Sequence, residues 1–171
     1  MGILVLIRHA KAVDADPRGD HERALAGRGR RDAAALGAWL ARNELLPDLV
    51  LVSTATRTRQ TLESLLEGAA EGDQVEVWPT RRIYEGGTDG VLEAVREVPE
   101  STGVLWVVGH EPVMSTTAWD LAEAATVPHE VASNLASGFP TASAAVVSVT
   151  DPWVEVGPGR GQLVTVHTAR A

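Results

Sequence analysis

The sequence predicts an α/β chain folded as a three-layer αβα sandwich, its sheet mostly parallel with an antiparallel edge strand. Three observations predict this class. Short apolar runs alternate with amphipathic stretches along the whole chain, the pattern of strands returning through helices. Several of those runs are apolar at consecutive positions, as strands are when helices cover both faces. The last two runs are joined by Asp151-Pro152 and the glycine-rich Gly157–Gly161 stretch rather than by a helical pattern, which indicates an antiparallel hairpin at a sheet edge.

Taken in order, Ile3–Ile7, Leu49–Val52, Val75–Trp78, Val104–Val108, Ala144–Val149 and Leu163–His167 read as strands, mostly β-branched and bounded by Gly, Pro, Ser or Asp. Arg30 to Asn43 spaces Ala33, Leu36 and Leu40 at helical intervals. Thr58 to Glu67 does the same with Thr61, Leu62, Leu65 and Leu66, and Gly90 to Val98 with Val91, Leu92 and Val95. Pro112 to Ala125 begins with proline where a first helical turn tolerates it. Residues 126–143, with Pro128, Asn134, Gly138 and Pro140, suggest a loop carrying one broken helix. Trp39, Trp106 and Trp119 fall on apolar patterns and are assigned to the core, whereas Trp78 and Trp153, beside prolines at strand ends, are candidates for a pocket mouth. No repeat or long linker divides the chain, so residues 1–171 are expected to form one domain, large enough to bury about two-thirds of its unfolded surface.

Composition removes several chemistries. Apolar residues make up 44% without low-complexity blocks, which argues against disorder. Cysteine is absent, so disulfides, thiolate metal sites and cysteine nucleophiles are excluded, and a reducing compartment suits the chain. The N-terminal apolar run lasts five residues and ends on Arg8-His9. A secretory core needs roughly 7–15 apolar residues and a membrane span about 20. A cytoplasmic protein with no membrane partner is therefore expected. The net charge of −8 conceals an asymmetry: residues 1–60 carry ten Lys/Arg against seven Asp/Glu, and residues 61–171 five against sixteen. A locally basic third suits an anion site but not nucleic acid, which needs a broad basic surface; Arg28, Arg30 and Arg31 read as a solvated helix face. Richness in Ala, Arg and Val points to a GC-rich bacterial source.

Ligands of open α/β sheets collect beyond the carboxyl ends of the strands. Those ends carry Arg8-His9-Ala10-Lys11, then Ser53-Thr54-Ala55-Thr56-Arg57, then Tyr84-Glu85, then Gly109-His110-Glu111-Pro112. Arginine offers planar, permanently charged donors that match phosphate oxygens. A neutral histidine can attack phosphorus and carry the phosphoryl group covalently. Flanking arginines would keep that imidazole unprotonated, and a second, protonated histidine would stabilise charge on the equatorial oxygens. Lys11 could help draw an anion in.

These residues resemble the histidine phosphatase superfamily, with its phosphoglycerate mutase-like fold. The resemblance rests on Arg8-His9-Ala10 after the first strand, on Ser53-Thr54-Ala55-Thr56-Arg57-Thr58-Arg59-Gln60-Thr61, and on the Gly109-His110 turn. It covers residues 3 to about 150 and includes Arg28-Gly29 at a helix entry. The resemblance implies His9 as nucleophile, Arg8, Arg57 and His110 as the phosphate pocket, and neither metal nor organic cofactor. Only 24 residues separate Glu85 from His110, too few for the cap of mutases and larger phosphatases. Asp20-His21-Glu22-Arg23-Ala24-Leu25 also resembles the Asp-x-x-Arg-Pro-Leu stretch of the small bacterial phosphohistidine phosphatase branch, with Ala24 in the proline position. The expected substrate is phosphohistidine on a protein partner. The alternative is a small phosphorylated metabolite, a sugar or nucleotide phosphate monoester, with Glu85 as general acid and Asp89, otherwise a helix N-cap, as second choice.

Overall fold

The computed structural model describes residues 1–70, 74–123 and 126–171. Six strands, β1 (Gly2–Arg8), β2 (Leu49–Ser53), β3 (Glu76–Thr80), β4 (Val104–Gly109), β5 (Ser143–Val149) and β6 (Gly161–Thr168), form one sheet in the order β3-β2-β4-β1-β5-β6. β3, β2, β4 and β1 pair in parallel, β5 runs antiparallel to β1, and β6 antiparallel to β5. The expected hairpin thus forms the sheet edge. The strand opposing the rest is β5, one place in from that edge.

The pleat sorts side chains into two cores. Leu4, Leu6, Leu51, Leu105 and Val107 face α4 (Gly87–Arg96), α5 (Val113–Leu121) and α6 (His129–Ala136), where they meet Val91, Val95, Met114 and Leu121. Val5, Ile7, Val50, Val52, Trp106 and Val108 face α1 (Gly27–Arg42) and α2 (Thr56–Gly68), meeting Leu36, Leu40, Leu62 and Leu65. The two layers of helices around the sheet are the predicted sandwich. α1 and α2 cross closely because glycine stands at the contact: a Cβ on Gly37 would lie 2.0 Å from the Leu65 carbonyl oxygen, and one on Gly68 1.9 Å from that of Ala34. That crossing sets the axis of α2, which carries Arg57 in its first turn.

Each expected strand is present within two residues of its predicted ends, and the first three helices begin two or three residues early. The helix predicted over Pro112 to Ala125 stops at Leu121, because Ala122 leaves it to bridge Gly161; residues 124–125 lie outside the described part. The broken helix foreseen within 126–143 is α6. Among the described residues, three short elements had no periodicity to betray them: α3 (Arg82–Glu85) and single 3-10 turns at Asp20–Glu22 and Trp153–Glu155. Trp106 is fully buried and Trp39 packs partly against the core, but Trp119 is 45% exposed. The inward stripe of α5 is Met114, Ala118 and Leu121, and Trp119 lies five positions after Met114, about 140° around the helix. Trp153 is buried rather than at a pocket mouth, its Nε1 donating to the Thr102 carbonyl oxygen at 3.0 Å. Trp78 pairs with Leu51 inside the sheet and packs on the core.

Candidate active site

Strand register assembles the site before any side chain is considered. β1 aligns Arg8 with Gly109, and β2 aligns Val52 with Val108, so the chain emerges from three neighbouring strands at His9, Ser53 and His110. The His9 backbone is pinned on both sides, its N–H donating to the Gly109 carbonyl oxygen at 3.0 Å and its carbonyl accepting the Ala142 N–H at 3.2 Å. α2 then grips the loop after β1. The Ala10 N–H donates to Thr61 Oγ1 at 3.0 Å and the Leu25 N–H to Gln60 Oε1 at 2.7 Å. Arg57, Gln60 and Thr61 stand at i, i+3 and i+4, one face of the helix.

The His9 imidazole is fixed at both ring nitrogens. Nδ1 lies 2.7 Å from the Ala10 carbonyl oxygen, which can only accept, so Nδ1 carries the proton. Nε2 is left with its lone pair and receives the Arg57 Nε–H at 3.3 Å. Burial first, and then the adjacent Arg57 and Arg8 guanidiniums, push this histidine down to about 4 against an upward pull from the Ala10 carbonyl. The His9 imidazole is therefore neutral at pH 7. Arginine contributes as the sequence suggested, but burial is the larger cause.

His110 sits with its ring centroid 5.4 Å from that of His9. Its Nε2 is 2.8 Å from Ser53 Oγ, and that hydroxyl also accepts the Ala55 N–H at 3.3 Å. The Ser53 hydroxyl can donate to Nε2 or accept from it, and His110 Nδ1 has no protein partner. Burial, reinforced by Arg57 and His9, pushes His110 down to about 3. The protonated second histidine foreseen from sequence is thus neutral in the free site, because it is desolvated beside an arginine.

Arg57 is buried and uses three of its five N–H groups within the protein: besides His9, it donates Nη1 to the Asp20 carbonyl oxygen at 2.8 Å and Nη2 to Asp20 Oδ2 at 3.0 Å. Asp20 also receives the Tyr84 hydroxyl at 3.0 Å and Arg23 Nε at 2.9 Å. Partial burial lifts the Asp20 carboxyl, but the hydrogen bonds from Tyr84, Arg57 and Arg23 outweigh it and hold it at about 2. Arg8 is half-buried and donates Nη1 to the Phe139 carbonyl oxygen. Arg8, His9, Lys11, Arg23, Arg57 and His110 together line one cleft of about 230 Å³. Among the described residues, the buried side-chain nitrogens without a hydrogen-bond partner are Arg8 Nε and His110 Nδ1, both in residues of this cleft. Buried polar atoms are normally satisfied. Two orphans in one cationic cleft match the oxygens of a tetrahedral anion.

A family profile for the histidine phosphatase superfamily, branch 1, matches residues 4–148. The chain belongs to this superfamily. It is 39% identical to the uncharacterized protein Rv1276c of Mycobacterium tuberculosis over 164 residues, 96% of this chain and all of the relative. A provisionally named phosphohistidine phosphatase SixA from Nakamurella multipartitia superposes with a TM-score of 0.85 at 34% identity, covering 99% of this chain and 97% of that one. A second protein with the same provisional name, from Agrobacterium tumefaciens, gives 0.76 at 26% identity, with 97% of each chain covered.

The four residues this histidine phosphatase was expected to bring together, Arg8, His9, Arg57 and His110, do meet, and Lys11 reaches the same cleft from an exposed position near Asp14. Glu85 does not join them. It ends α3 exposed to solvent, with its carboxylate accepting from Arg81 Nη2 at 3.2 Å, and it is absent from the cleft lining. Asp89 lies in the first turn of α4, whose N-cap is Gly86. The sequence placed Ser53 and Tyr84 at strand ends and Asp20, Arg23, Gln60 and Thr61 inside family-like stretches, but assigned none of the six a part in building the site. Ser53, Gln60 and Thr61 stand three or four positions from Arg57. Tyr84 packs edge-on to His110, centroids 5.5 Å apart, and nothing in its local sequence announces that.

Proposed function

We propose that this protein is a phosphatase that works through a phosphohistidine intermediate on His9 and removes phosphate from phosphohistidine on a protein partner. Residues 1–171 act as one catalytic domain, and the cysteine-free chain works in the cytoplasm; no helix among the described residues is long and apolar enough to cross a membrane. The phosphoryl oxygens accept hydrogen bonds from Arg8, Arg57 and His110 Nδ1, with Lys11 adding charge at the rim. His9 Nε2 attacks phosphorus while the P–N bond to the substrate imidazole breaks. Water then attacks phosphorus on His9, releasing inorganic phosphate and restoring the imidazole. Donors pre-arranged around the equatorial oxygens act where charge spreads in the transition state.

The observation that carries the choice of substrate is that, among the described residues, no carboxyl group in the cleft is free to act as an acid. Glu111, the carboxylate in its lining, already accepts the Ser115 N–H at 3.0 Å, the Ser115 hydroxyl at 2.7 Å and the Phe139 N–H at 3.0 Å. Asp20 is held ionised by its three donors, and Glu85 faces solvent. An alkoxide leaving group needs a proton donor, worth about 10²–10⁴-fold. A phosphohistidine ring protonated on its other nitrogen leaves as neutral imidazole and needs none. The relatives named as phosphohistidine phosphatases agree with this reading. The alternative substrate, a sugar or nucleotide monoester served by Glu85, lacks an acid in place.

The test is turnover of a panel of phosphoramidates, phosphohistidine proteins and phosphate monoesters, with acid quenching to trap the phosphoenzyme. Expected are an acid-labile, alkali-stable phosphate on His9, preference for P–N substrates, and loss of turnover in His9→Ala. Undiminished turnover in that variant would refute the mechanism.

A further inference from the structure

A groove of about 670 Å³ runs directly beside the phosphate cleft, and the established family assignment gives it no role. One wall is the outer face of α5, presenting Pro112, Ser115, Thr116 and Trp119 at spacings of three, four and seven positions. The other is built from Leu135 of α6 and the turn Ser137-Gly138-Phe139. Leu135 and Phe139 are buried beneath it, while Trp119, 45% exposed, closes the far end. Seven helical residues rise about 10 Å, the length of three residues of extended chain.

Groove and cleft adjoin, with Arg8 and Glu111 in both linings. The partition between them is built, because Arg8 donates to the Phe139 carbonyl oxygen and the Glu111 carboxylate ties Ser115 to the Phe139 N–H. Whatever places its phosphoryl group on His9 must send the rest of itself outward past Arg8, and the groove is the adjoining space. Its charged groups are already engaged: Glu111 holds three donors, and Arg8 donates to the Phe139 carbonyl oxygen. What remains for an occupant along its length is the exposed face of Trp119 above a nearly buried floor of Leu135 and Phe139, rimmed by Thr116 and Ser137.

We infer that this groove binds the peptide segment flanking the phosphohistidine and selects an apolar side chain within three residues of it. The inference rests on the phosphohistidine reading above and adds a sequence preference to it. Trp119 would contact that side chain over the Phe139 floor, and the Arg8 to Phe139 hydrogen bond would link its seating to the arginine that holds the phosphoryl group. An aromatic wall that would be poorly used by a small phosphorylated ion acquires a purpose when the substrate is a chain.

The experiment compares phosphohistidine peptides of equal length carrying Leu or Gly at each of three positions on either side of the phosphorylated residue. In the wild-type protein, kcat/KM for the best Leu peptide should exceed its Gly counterpart by about tenfold, the lower range for one apolar contact. Trp119→Ala, at an exposed position, should collapse that ratio toward one. Thr116→Trp, which fills the groove midway, should do the same by raising KM for the Leu peptide, so the conclusion does not depend on one variant folding. Equal rates for Leu and Gly peptides in the wild type overturn the inference, as does an unchanged ratio in both variants. Failure of the underlying reading looks different: no phosphohistidine peptide would be hydrolysed while monoesters were.

Discussion

Folding stability should fall between pH 6.5 and about 4, and most of the fall should come from His9 and His110, with smaller parts from the depressed His167, Glu22 and Glu97. His9 is pushed down to about 4 and His110 to about 3, from an ordinary 6.5. Their folded values are depressed, so the stability is fully present above pH 6.5. It is lost as acid protonates the unfolded chain while the folded site still refuses the proton. At pH 4.5 the unfolded imidazoles hold about one proton each and the folded ones few, which costs roughly 2.6 kcal/mol per histidine at 1.36 kcal/mol per unit. Discounting the partly exposed His110 leaves about 4 kcal/mol for the pair. That is a large part of the 5–15 kcal/mol typical of a domain. Asp16 and Asp20, held at about 2, act only below pH 4 and do not blur this window. Urea unfolding followed by circular dichroism at pH 7 and 4.5 would measure the drop. The double variant His9→Asn/His110→Asn should lose about 4 kcal/mol less than the wild type over the same interval. The depressed His167, stacked on Trp39, contributes equally to both proteins and cancels. A wild-type stability that is flat across the interval, or an equal drop in the double variant, would refute the picture of two buried neutral imidazoles.

The remaining predictions concern the roles of single side chains. Ser53→Ala removes the partner of His110 Nε2, so the ring is free to turn and kcat on a phosphoramidate should drop about 10–100-fold with a much smaller change in KM, read by steady-state kinetics. Glu85→Gln should alter turnover of phosphoramidates and monoesters by less than about twofold, because an exposed carboxylate paired with Arg81 touches nothing in the cleft. A selective loss on monoesters would instead bring Glu85 back as the acid.

What the sequence revealed and what it hid divide along a physical line. Arg8, His9 and His110 were legible because each lies within a residue or two of the end of an apolar run, and parallel register carries such ends to one place whatever the loops do. Arg57 was legible because it opens the helix that follows β2. Asp20 was not, since its partner Arg57 is 37 positions away and its place depends on a three-residue 3-10 turn with no period to read. Tyr84 belongs to a four-residue helix and meets Asp20 across 64 positions, so only the folded chain reveals it. Glu85 failed to arrive for the complementary reason: it is at a strand's exit in sequence, but α3 turns its side chain toward Arg81. Trp119 was misread because an apolar residue in an amphipathic helix counts as core until the stripe's phase is known, and Met114, Ala118 and Leu121 set that phase against it. The exception is informative. A tryptophan left out of a well-filled core, on the rim of a groove that adjoins the His9 cleft, is better explained by what it contacts from outside the chain than by what it packs against within.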